Sequence, residues 1–217
     1  MTPKISDGSG SPQRSWRRPA RLACRVVFMP TLVARSLRAP WWRGGRRLLA
    51  AQALCWSGDL VLSRRERVPF LLGLGSFLAA HIAYVSAYRC RSSEALLATP
   101  ARRAVLASGS ALGAGMAVVA AREDRVLALP VAAYGATLTT MVAAAAAVDA
   151  DRGRGRLVAG ASLFLLSDTL IGVRRFLLGD RTEALETAVM ASYAVGQWCI
   201  SYGMLRPGRG RRRSGGR

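Results

Sequence analysis

Paired metal-binding or disulfide-forming cysteines are missing from this chain. Its four cysteines, Cys24, Cys55, Cys90 and Cys199, form no CxxC pair and no close cluster with histidine. Neither a tetrahedral zinc site nor a disulfide framework has the spacing it needs. Three of the four lie in or near apolar runs, where a free cysteine behaves as a small hydrophobe. Histidine is nearly absent, His81 being the single one. The phosphate-cradling Walker loop, the GxSxG elbow, the HExxH zinc helix and the dinucleotide fingerprint are all lacking, which removes the enzyme classes those motifs serve. No metal site and no cofactor is expected. Acidic residues are scarce too: 12 Asp and Glu stand against 32 Lys and Arg, a net charge of +20.

What is present is apolar length. Of the 217 residues 51% are hydrophobic and the mean hydropathy is +0.20. A soluble domain would also be about half apolar, so the distribution decides. Uncharged stretches alternate with short arginine-rich joints, and a helix crossing a bilayer needs about 20 mostly apolar residues. The charge of +20 fits either nucleic-acid binding or the retention of basic joints on the cytoplasmic side of a membrane. The arginines sit at the tails and joints, where the second reading places them. The expected partner is the lipid bilayer, and not nucleic acid.

Residues 1–20 are rich in Ser, Gly, Pro and Arg and read as a disordered basic tail; 206–217 form a second basic tail. Arg17-Arg18 is not followed by the clean apolar run and cleavage site of a twin-arginine signal. Between the tails, residues 21–205 form a transmembrane domain with apolar segments at 22–37, 46–63, 68–88, 104–121, 126–148, 157–173 and 187–205. The first is interrupted by Pro30 and reads as an interfacial or partial helix, or else a further span. Only helices and closed barrels satisfy the backbone in lipid, and these runs lack the two-residue alternation of barrel strands. The expected fold is an all-α polytopic transmembrane helix bundle with six to seven spans, in the cell membrane. Gly109-x-x-x-Gly113 and the run Ala143–Ala147 are the small residues that let membrane helices approach closely.

If the last six segments each cross once, Arg35, Arg38, Arg43, Arg46, Arg47, Arg89, Arg91, Arg102, Arg103, Arg152, Arg154, Arg156 and the C-terminal tail share one side. The other side receives Arg64, Arg65, Arg67 and the mixed-charge stretches 122–125 and 174–183. The more basic side is then cytoplasmic.

Two acidic residues, Asp59 and Asp168, lie well inside apolar runs. A mid-helix aspartate costs roughly 2.5–3.5 kcal/mol on insertion scales and usually faces a cavity or a partner. In the topology above both fall in the outer half of the bilayer at like depth. Two carboxyls in one poorly solvated site cannot both ionise cheaply, so one holds a proton while the other does not. Phe77, His81, Tyr84 and Tyr88 share one helix face, as do Tyr193, Gln197 and Ser201. A neutral imidazole in lipid still needs hydrogen-bond partners, so His81 joins the candidates; the Tyr193 stripe serves either a site or helix-to-helix contact. A short echo relates Trp56–Val61 to Leu166–Ile171, each carrying its aspartate, as in a parallel repeat.

Gly58-Asp59, then Phe77-x-x-x-His81-x-x-Tyr84, Phe164-x-x-Ser167-Asp168 and Tyr193-x-x-x-Gln197 together resemble the YhhN family of membrane proteins, which includes the lysoplasmalogenases. The resemblance covers about residues 28–203, and Phe28–Leu32 is similar to an early Lys-Pro-containing segment of the family, without its lysine. It implies hydrolysis of the vinyl-ether bond of a lysophospholipid to a fatty aldehyde and a glycerophospho-headgroup. Protonation of the vinyl group would give an oxocarbenium-like ion, as in glycoside cleavage by paired carboxylates. On this reading Asp59, Asp168 and His81 are catalytic, and Tyr84, Tyr193 and Gln197 bind substrate. A lipid-binding or proton-coupled transport protein using the same pocket is the alternative. Broken midplane helices would favour transport, but Pro69, Pro100 and Pro130 fall at segment ends.

Overall fold

A computed structural model describes residues 27–38, 44–62, 67–178 and 183–206, without the side chains of 183 and 184. The tail assigned to 1–20 and all but Arg206 of the tail assigned to 206–217, together with Cys24, Arg43, Arg64 and Arg65, lie outside the described residues. The fold is all-α, with seven helices and no strand among the described residues. They are α1 (Val27–Leu37), α2 (Gly45–Leu62), α3 (Arg67–Arg89), α4 (Pro100–Glu123), α5 (Ala128–Ala147), α6 (Arg154–Phe176) and α7 (Glu183–Leu205). Each apolar run of the sequence is the body of one helix. Four stretches, comprising α3, α4, α6 and α5 with its preceding turn, are long and apolar enough to cross a membrane; α1 is shorter.

Local chemistry sets the boundaries. Thr99 accepts a hydrogen bond from the Arg102 backbone N–H, and Pro100 occupies the first turn of α4, where its missing N–H costs nothing. Asp124 ends α4 and caps the short 3-10 turn leading into α5, accepting from Val126 N at 3.0 Å. Gly153 opens α6 with φ of 92°, and a Cβ there would lie 2.5 Å from the carbonyl oxygen of Gly203. Only glycine meets both conditions.

Contacts at the two ends show the helices alternating in direction. At one end Arg91 donates to the Met204 and Arg206 carbonyls, and Asp149 N–H donates to Arg91 O at 3.1 Å. Arg35 reaches the Tyr202 hydroxyl at 2.9 Å there, and Arg47 reaches the Ser86 carbonyl at 3.4 Å. At the other end Arg67 pairs with Asp124 at 3.1 Å, Arg175 with Glu123 at 3.0 Å and Arg174 with Glu186 at 3.9 Å. The first end is rich in arginine and the second mixed in sign, the partition the sequence pattern predicts.

Glycines bring the helices together. Cβ atoms at Gly113 and Gly135 would each sit about 3 Å from the facing glycine's Cα (3.2 and 2.9 Å), locking α4 to α5. Gly160 and Gly196 do the same for α6 and α7, with Cβ positions 2.8 and 3.0 Å from the opposite carbonyl oxygens. Lipid supplies no hydrophobic drive between helices, so close backbone approach and dispersion must hold them. α5 lies against α3, α4 and α6, and α2 pairs with α3. Met29 and Leu32 of α1 join the same core.

Candidate active site

Asp59 of α2 and Asp168 of α6 line one cavity of about 110 Å3. It is closed laterally by α3 (Phe70, Leu74, Phe77), α5 (Val131, Tyr134) and α7 (Val189, Met190, Tyr193). Each aspartate is held by a tyrosine from another helix. The Tyr193 hydroxyl donates to Asp59 Oδ2 at 2.7 Å, and the Tyr134 hydroxyl donates to Asp168 Oδ2. Ser167, beside Asp168, donates to the Val189 carbonyl at 3.1 Å and ties α6 to α7 there. Hydrogen bonds to ionised oxygens are roughly twice as strong as neutral ones, so these tyrosines orient the carboxyls and stabilise negative charge on whichever is ionised.

An aromatic wall backs the carboxyls. Phe77, Phe164 and Tyr193 meet edge-to-face, with ring centroids 6.2, 6.3 and 5.3 Å apart, the arrangement ring quadrupoles favour. Gly58 makes room for it: a Cβ there would lie 2.7 Å from two Phe77 ring carbons. The glycine before Asp59 thus lets α3 press Phe77 against α2 beside the carboxyl. Two rings of the lining, Phe70 and Phe176, meet Arg175, which lies 4.8 Å over the first and 5.8 Å from the second.

The sequence-predicted residues divide into two layers. Asp59, Asp168 and Tyr193 line the cavity; His81, Tyr84 and Gln197 do not. His81 is fully buried behind it, edge-on to Tyr134 at 5.1 Å and Phe164 at 4.9 Å. Neither imidazole nitrogen has a hydrogen-bond partner among the described residues. Tyr84 donates to Gln197 Oε1 at 2.7 Å, and Cys55, one turn before Asp59, lies beside both. This lower layer links α2, α3 and α7 under the carboxyls.

Tyr134 is the residue that sequence reasoning missed. Its signal was slight: an aromatic hydroxyl in an Ala-rich segment, with only Thr137 three residues on as a polar neighbour at helical spacing. Ser167 was visible only as part of a family motif. The two tyrosine donors do not follow the echo between the aspartate segments: Asp59 receives its hydroxyl from α7, and Asp168 from α5, the helix before its own.

Residues 20–204 match the YhhN family, a stretch running from before α1 almost to the end of α7. The lysoplasmalogenase of Mycobacterium bovis is 31% identical over 210 residues, covering 93% of this chain and 76% of the relative. That of Mycobacterium tuberculosis is equally similar, at 31% over 210 residues and the same coverage. No solved structure matches the chain. Apolar helices, the match across nearly the whole bundle and two relatives at this identity agree: the chain is a membrane protein belonging to the YhhN family.

Proposed function

We propose that the chain is a membrane-embedded hydrolase cleaving the vinyl-ether bond of lysoplasmalogen-type lysophospholipids, with Asp59 and Asp168 as its acid/base pair. The observation that carries this is the opening of both carboxyls onto one apolar cavity, each with its own tyrosine donor. Burying two aspartates in lipid-spanning helices costs several kcal/mol, and this placement gives them a joint task.

The protonated carboxyl gives its proton to the vinyl carbon distal to the ether oxygen. The double-bond electrons form the new C–H bond, leaving an oxocarbenium ion across the adjacent carbon and oxygen. The ionised carboxyl stabilises that cation, then takes a proton from a water as its oxygen adds to the carbon. In the resulting hemiacetal the carboxyl that took the water's proton gives it to the glycerol oxygen as that C–O bond breaks, while the first carboxyl takes the hydroxyl proton as the C=O bond forms, so aldehyde and glycerophospho-headgroup leave and the pair returns to its starting charge. Tyr193 positions Asp59 and contacts the glycerol side. His81 acts from behind as a positioning residue through the Tyr134 ring, and Tyr84 with Gln197 braces α2, α3 and α7. We further propose that α2 and α7 cross with the four apolar helices, with the arginine-rich end in the cytoplasm and the cell membrane as location.

The test is aldehyde release from a vinyl-ether lysophospholipid by purified protein. General acid–base catalysis contributes about 10²–10⁴-fold, so Asp59→Asn and Asp168→Asn should each lose at least the lower figure. A well-folded wild type that releases no aldehyde removes the hydrolase reading and leaves lipid binding or transport. Aldehyde release surviving in both variants keeps the enzyme and removes this site.

A further inference from the structure

The cavity holding both carboxyls has a neighbour. A second space of about 60 Å3 lies between α4 and α6 over the face of α5. α4 and α6 both pack on α5 but scarcely on one another, and the groove is the gap they leave. It shares Met116, Val131, Tyr134 and Asp168 with the first cavity, whereas Asp59 lines the first alone. These four side chains are therefore a partition between two spaces. Asp168 is the one carboxyl with room on both sides.

The partition has a soft element. Met116 crosses from α4 to lie over Gly172 of α6, where a Cβ would come within 3.1 Å of both its Sδ and Cε. An unbranched thioether with three rotatable bonds can swing from such a position at small cost, and Gly172 offers no side chain to hold it.

The groove itself suits a hydrocarbon. Gly109, Gly113 and Gly135 give it a floor without side chains. Its two threonines spend their hydroxyls on their own helices, Thr139 on the Gly135 carbonyl at 2.7 Å and Thr169 on that of Leu165 at 2.8 Å. Away from the partition no charged side chain lines it, so it has nothing with which to bind a phosphate or an ammonium. Its rim residue Leu112 is 47% exposed on a helix apolar enough to face lipid, so the groove opens sideways.

We propose that this α4–α6 groove binds the alkenyl tail of the substrate, with Met116 as the movable divider between tail and glycerol sides. The inference rests on the hydrolase reading above. A vinyl ether joins tail to glycerol, so the group acting on it must have the tail on one side and the glycerol on the other, which is the situation of Asp168. A tail already in the bilayer slides into a lateral groove without crossing water.

Two measurements test this. In the first, Leu165→Trp (on the α6 wall) and Leu112→Trp (at the exposed rim, where folding is not at stake) are assayed with long- and short-chain alkenyl lysolipids. Crowding of this kind should lower kcat/KM for the long tail about tenfold more than for the short one. An unchanged long-to-short ratio in both folded variants overturns the proposal. The second needs no turnover: an alkyl-ether lysolipid bearing a diazirine at its tail end is photolysed with wild type and Leu112→Trp. Labelling of α4 and α6 peptides around Leu112 and Leu165, diminished in the variant, is the expected result. Labelling centred on Phe70 and Phe176 instead overturns it. Groove labelling in a protein that releases no aldehyde would retain the tail site and discard the hydrolase reading.

Discussion

Tyr193→Phe isolates one hydrogen bond. The Tyr193 ring stands edge-to-face against Phe164 at 5.3 Å and Phe77 at 6.3 Å; phenylalanine keeps both contacts and the same volume. What disappears is the hydroxyl donating to Asp59 Oδ2 at 2.7 Å. Hydrogen bonds to charged groups contribute about 1.5–3 kcal/mol, and about 1.36 kcal/mol is a factor of ten in rate. If the bond works fully on the carboxylate that meets the developing cation, aldehyde release should fall roughly 10- to 150-fold. The thermal midpoint should move little, since the core is undisturbed. Initial rates of aldehyde release across a range of lysolipid concentrations would separate kcat from KM. A loss in kcat marks a bond used in the transition state, and a rise in KM alone marks one used for binding. Turnover within twofold of wild type, with normal folding, would refute the assignment of Tyr193 to the acid/base machinery. Tyr134→Phe is the matched experiment on Asp168.

Three further outcomes follow from the packing and the end contacts. Gly160→Ala puts a methyl 2.8 Å from the Gly196 carbonyl oxygen and 3.0 Å from Ile200 N; these are backbone atoms that cannot swing aside, so the thermal midpoint should drop by the equivalent of about 1–3 kcal/mol. Gly75→Ala meets nothing within 4 Å and should raise the midpoint slightly, because alanine is the better helix former by about 0.8–1 kcal/mol. Asp149 accepts from the Ser93 hydroxyl at 2.7 Å and its backbone N–H at 3.0 Å, and the hydroxyl bond, most of all, holds its carboxyl below the ordinary value of 3.8. A depressed folded-state value stabilises the protein above the ordinary value and ceases to do so as pH falls through the lowered one. Thermal midpoints at neutral pH and near pH 3 should thus fall less in Ser93→Ala than in wild type, and an equal fall would show the contact to be without effect.

How far the site was legible depended on how each residue signals its cost. Asp59 and Asp168 stood out because a carboxylate inside an apolar run is expensive wherever the helix goes. Tyr193 and Gln197 shared a stripe, but periodicity marks a face without saying what the face meets. Of that pair only Tyr193 reaches the cavity, while Gln197 accepts from Tyr84 below it. His81 sat on the right face of α3 and yet lies behind Tyr134 and Phe164. Tyr134 gave almost no signal, since one hydroxyl among alanines points at nothing until α5 is laid against α6.

The sequence by itself determined the seven helical segments, the arginine-rich and mixed-charge ends, and the two aspartates as the costly residues. All of these follow from transfer energies and charge placement along the chain, which are local. Only the tertiary structure decided that the two carboxyls open on one cavity, which tyrosine serves each, and that a groove runs on beyond Asp168. Those depend on which helices glycine lets approach, and at what depth. Gly58, Gly113, Gly135, Gly160 and Gly196 set these distances to within a methyl group, and a one-dimensional pattern of apolar residues carries no such information.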